Sequence, residues 1–224
     1  MNTLEVQEAQ LDYVATLAEP AFPLWLNVQA TMAGLYQAFL GLHSGLEDLT
    51  IEGDGRDLLS RSLLVKLGDQ GFFRLGYDRL EAILPEYDAE ELGRFPSTLA
   101  RADGWLRTHW PRAVVQSHVF SFSIHATLRE GTADQLLRSM TDLRFPGIDE
   151  SQATGLIFHG QLADRGWGVH LTLDHSPVAE DGLFIQYVVV TTSDRTDPAA
   201  MLEAAVQLLH GALSGVGLRL EEAG

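Results

Sequence analysis

Cysteine is absent from the 224 residues, so the chain can form neither a disulfide nor a thiolate metal site. Lysine is almost absent too, Lys66 being the only one. "GDGRDLLSRS" therefore lacks the lysine, and the spacing, of a phosphate-binding loop, and its Gly53-Asp54-Gly55 reads as a turn. No apolar run approaches the roughly 20 residues of a membrane helix. "MNTLEVQEAQ" has no basic segment followed by an apolar one, which reads against a secretory leader. A cytoplasmic, reducing setting is the expectation.

Basic charge is scarce: fifteen basic residues stand against thirty-one acidic ones, a net charge of −16. Residues 1–112 and 113–224 each carry an acidic excess of eight, so this is no acidic tail. Charge of this sign keeps a protein soluble and opposes binding to nucleic acid or to anionic membranes, while a basic partner suits it. Catalytic signatures are missing as well. There is no Gly-x-Ser-x-Gly elbow, and the carboxylates of "EYDAEEL" fall where a helix start accounts for them.

What is present is an ordinary globular composition, 46% apolar and 21% charged, with two similar phrases in it. "PLWLNVQATM" from Pro23 aligns with "FSFSIHATL" from Phe120, so that Val28–Met32 falls on Ile124–Leu128. Both alternate apolar and polar residues, which predicts half-buried strands. After each phrase comes a short helix, "AGLYQAFLGLHSG" ended by Gly45 or "TADQLLRSMTDL" capped by Thr132. Three strand candidates follow in each copy: "LEDLTIEG", "RSLLVKLG" and "GFFRLGYDRL", then "GLIFHGQL", "WGVHLTLDH" and "GLFIQYVVVTT".

"DAEELGRFPSTLARADGWLRTHW" reads as a linker helix that Pro96 should kink or split, and its Trp105, His109 and Trp110 as packing residues. Asp197 and Pro198 open a C-terminal helix whose stripe is Met201, Leu202, Ala205, Leu208 and Leu209. Residues 5–19 read as a helix before the first copy, although their alternation leaves a strand open.

The fold class is thus α+β: a tandem duplication of a β-α-β-β-β unit followed by a helix, with antiparallel sheet and helices packed on one face. Residues 1–112 form the first unit with its N-terminal segment and linker helix, and 113–224 the second with the C-terminal helix, in one pseudo-symmetric body. This layout resembles, in topology alone, the duplicated saddle of TATA-binding proteins, but the acidic charge opposes a DNA-binding role.

Alternation assigns Trp25 and Gln29 in copy one, and Ser123, His125, His159, His170 and Gln186 in copy two, to an open polar face suited to a partner or ligand. His125, His159, His170 and Asp174 are the candidate ligands of a divalent metal, because imidazole and carboxylate are its usual donors. His118, His175, His43 and His210 lie at element ends and receive no role. The reading of function is a non-catalytic, acidic, cytoplasmic protein-binding module of the adaptor, immunity or secretion-chaperone kind, which uses the polar sheet face or a strand edge. Its partner is another protein or peptide, with homodimerisation allowed and no resident cofactor. The alternative is a metal-dependent or small-molecule-binding enzyme with its site on the second sheet face.

Overall fold

Leu11, Tyr13, Ala15 and Leu17 are buried, while Asp12, Val14 and Thr16 between them are half-buried. That period of two belongs to a strand with one face on a core. The computed structural model, which describes residues 1–42, 45–54, 57–68, 71–140, 155–192 and 197–221, accordingly places Asn2–Leu17 in a long strand, β1. Of the two conformations open to residues 5–19, the strand is the one adopted. His43 and Gly55 lie outside the described residues.

The phrase beginning at Pro23 is helical, which corrects the strand expected there. Short helix α1 is Phe22–Trp25, and α2 is Val28–Ala38. Pro23 suits a helix start, and the Asn27 side chain accepts from Ala30 N to cap α2. Leu24, Thr31, Leu35 and Phe39 are the buried positions. Their spacing is that of a helical stripe, whereas Leu26, which a strand would have buried, is 85% exposed. The second phrase lies in strand β6, Val115–Leu128, with Phe120, Phe122, Ile124 and Ala126 buried as expected. The two phrases are therefore not structurally equivalent.

Between α2 and the linker helix run β2 (Leu49–Glu52), β3 (Ser62–Lys66), β4 (Phe72–Leu75) and β5 (Arg79–Leu84). "GFFRLGYDRL" thus spans two strands, not one, because Gly76 N donates to Arg79 O and closes a hairpin turn. Helix α3, Ala89–His109, starts at Asp88 with a reciprocal bond pair to Glu91, and Pro96 does not split it. After β6 come α4 (Ala133–Ser139, capped by Thr132), β7 (Leu156–Leu162), β8 (Trp167–His175) and β9 (Leu183–Thr191). Helix α5 (Pro198–Gly215, capped by Asp197) leads into a short strand that sequence reading missed, β10 (Leu218–Leu220).

The protein is α+β, with a ten-stranded sheet and five helices among the described residues. Strand order is β2-β3-β4-β5-β1-β6-β9-β8-β7, antiparallel throughout, with β10 joining β1 in parallel. All five helices bury side chains in one cluster with alternate strand residues such as Leu11, Tyr13, Phe120, Phe122, Tyr187 and Phe73. The helices therefore cover a single face of the sheet.

Helices α2 and α3 cross closely at Gly34. A β-carbon there would stand 2.5 Å from His109 Nε2 and 2.8 Å from Trp105 Nε1. His109 stacks on Trp105 and its Nδ1 is 2.9 Å from Trp105 O, and the Trp105 ring, being buried, has no room to withdraw. Gly34→Ala should therefore destabilise the protein by about 1–3 kcal/mol despite its gain in helix propensity. Gly104→Ala, in the same α3 but facing nothing within 4 Å, should stabilise it by about 0.5–1 kcal/mol. Urea unfolding midpoints of the two variants, moving in opposite directions, check the pair.

Candidate functional site

Opposite the helices, strand register lines up side chains in rows across the sheet. One row runs His159–His170–Val188–Ser121–Asp12–Ile83–Phe72–Lys66, from β7 to β3. Its neighbour runs Gln161–Gly168–Val190–Val119–Val14–Glu81–Arg74–Leu64–Thr50 and reaches β2. On the other side lies the row Ile157–Thr172–Gln186–Ser123–Gln10. This face mixes valines, amides and hydroxyls, with an ion-pair group on β4 and β5.

Ser123 and Gln186, both predicted here, are direct cross-strand neighbours. His125 shares a row with Phe184 and Asp174, stacks on Phe184 at 4.9 Å between centroids, and has Nδ1 2.9 Å from Ser176 Oγ. His159 and His170 are register partners whose Nδ1 atoms are 2.6 Å apart. Trp25 and Gln29 are not on this face, a correction that follows from their helical segments. The Trp25 indole donates to Gly76 O, and Gln29 is exposed on α2.

The four predicted metal ligands do not converge. His125 on β6 is three strands from His159, about 14 Å at 4.8 Å per strand. His170 and Asp174 are four residues apart along β8, about 13 Å. Among the described residues no group of three or more His, Cys, Asp or Glu side chains is placed to hold a metal.

The His125–Ser176 contact belongs to the turn after β8. Ser176 Oγ accepts from Val178 N and Ala179 N, so both lone pairs go to the turn and its hydrogen is left for His125. No protein-family model matches the chain, and no curated protein matches it. Among the described residues no helix is long and apolar enough to cross a membrane.

Two features of the sheet could not be located from sequence. Glu81 is only 9% exposed, and it pairs with Arg74 at 3.0 Å and Arg79 at 2.6 Å, while Arg74 also reaches Glu52. The signal was the charge alternation in "FFRL" and "RLEAIL", which becomes informative once β4 and β5 are separate strands. The second is the outer edge. No described strand pairs with β7 on its far side, and its two faces present Ile157, 63% exposed, and Phe158, 44% exposed.

At the centre of the face, burial raises the Asp12 carboxyl above the ordinary carboxylate value; hydrogen bonds from Gln10 oppose this, and the Glu81 charge adds to it. A carboxyl raised in the folded state favours folding while it is protonated, and that contribution is lost as pH rises through the folded value. Asp12→Asn should consequently raise the unfolding temperature at pH 7. The gain should shrink as pH falls through the carboxylate range, and paired thermal scans from pH 7 to pH 3 measure it.

Proposed function

We propose that this chain is a non-catalytic, cytoplasmic protein-binding module of the adaptor, immunity or secretion-chaperone kind. It takes an extended, basic segment of another protein along β7 and the adjoining uncovered face. The carrying observation is the β7 edge. Leu156–Leu162 is seven residues without charge or proline, with its outer backbone groups facing no described strand and apolar side chains exposed on both faces. Such an edge pairs with an extended chain through its backbone, and pockets between alternate side chains give selectivity. The net charge of −16 favours basic residues in that segment and disfavours nucleic acid or an anionic membrane as the partner.

The same proposal treats the chain as a duplicated unit, with β1 and not Pro23–Met32 as the counterpart of β6. Supporting it is the order outward from the central pair, β5, β4 and β3 on one side against β9, β8 and β7 on the other. Each central strand is followed by a helix, α2 or α4, and each set of outer strands by a longer one, α3 or α5.

A photo-crosslinking residue at Gln161, on the outer strand, tests the docking edge against one at Gln207, exposed on α5. During native expression, position 161 should form a discrete adduct that weakens as salt is raised, and position 207 should not. Absence of an adduct from 161, or equal capture from both sites, overturns the proposal.

A further inference from the structure

The two imidazoles at the outer margin of the sheet form a feature whose own chemistry the docking proposal does not draw on. His159 on β7 and His170 on β8 face each other in register, with rings nearly perpendicular at 88° and centroids 4.5 Å apart. Their Nδ1 atoms lie 2.6 Å apart, a hydrogen bond in which one ring, as its Nδ1–H tautomer, donates to the lone pair of the other, so both nitrogens are directed at one point.

We propose that Nδ1 of His159 and Nδ1 of His170 form a surface site for a divalent transition-metal ion of the Zn²⁺ class. Imidazole nitrogen suits such ions, and two ligands about 2.1 Å from a tetrahedral centre stand about 3.4 Å apart. Opening the pair by about 0.8 Å to that spacing takes only side-chain rotation, because both residues are exposed. Surroundings on this face are neutral: Ile157 and Gln161 flank His159 on β7, Gly168 and Thr172 flank His170 on β8, and Val188 follows on β9. No side chain stands at Gly168, which leaves room beside His170. Asp174 and His125 are too distant to contribute, so the chain supplies two ligands and water or an outside donor completes the sphere.

Titration calorimetry of untagged protein with Zn²⁺ tests this directly. One ion should bind per chain, and His159→Gln or His170→Gln should each weaken binding about tenfold or more. His125→Gln and Asp174→Asn should bind as the unaltered protein does. All four variants should unfold at a temperature close to that of the parent, which separates lost ligation from lost folding. Ni²⁺ should broaden amide NMR signals of β7 and β8 selectively. No Zn²⁺ binding, binding that survives in both His159→Gln and His170→Gln, or binding lost in His125→Gln or Asp174→Asn overturns the assignment. Its outcome is independent of the crosslinking at β7.

Discussion

The antiparallel pairing of β1 with β6 is the constraint on which the rest of the structure depends. It runs from Leu4 opposite Leu128 to Leu17 opposite Val115 and joins the two outer sets of strands into one sheet. Register in such a pair is strongly specified, since a one-residue slip would turn either Leu11 and Tyr13 or Phe120 and Phe122 out of the core. A polar contact fixes it further. Tyr13 Oη and His118 Nδ1, both buried, are 2.9 Å apart across the seam. Burial, with the Asp103 charge adding to it, raises the Tyr13 hydroxyl well above the usual tyrosine value, so the phenol stays neutral inside the core.

From that seam follows the separation of the two faces. One register places strand residues such as Leu11, Tyr13, Phe73, Phe120 and Phe122 on the side where α3 and α5 pack together and α2 and α4 reach β3 and β8. The opposite side then receives Asp12, Ser121, Ser123, Gln186 and Val188 as a group. A desolvated carboxylate and a nearly buried Glu81 between two arginines are tolerable there because each has hydrogen-bond partners. In the core they would have none.

Where alternation was strict and long, the sequence was legible. Phe120–Leu128, the β8 and β9 strands, and the caps Thr132 and Asp197 stand as read. Pro23–Met32 was misread because its apolar residues satisfy both periods in part: Leu24 and Val28 belong equally to an alternating strand and to a helical stripe. The decisive residues were Pro23 and Asn27, whose helix-start chemistry outweighs the alternation. Metal ligands could not be grouped from faces alone. A shared face says nothing of strand order, and β9 and β8 stand between His125 and His159. His159 and His170 meet because a hairpin sets them in register, which is local information. The influence of the Glu81 charge on Asp12 depends on β5 pairing with β1, which is not.

The two ends of the sheet are built differently, and that difference bears on function. At one end β2 is four residues long, carries Glu52, and runs into Gly53, whose φ of 92° takes the chain out of extended geometry. Short length, a charge and an abrupt turn are the usual protections of an edge against further pairing. At the other end β7 has seven residues, no charge and no proline. Phe158, on the helix-facing side, is 44% exposed, and α4 packs against the neighbouring strand, β8. Among the described residues, one edge thus carries these protections and the other does not. An edge without them is open to pairing with an extended chain. That asymmetry is why the docking proposal is placed on β7 and not on β2 or the wider polar face.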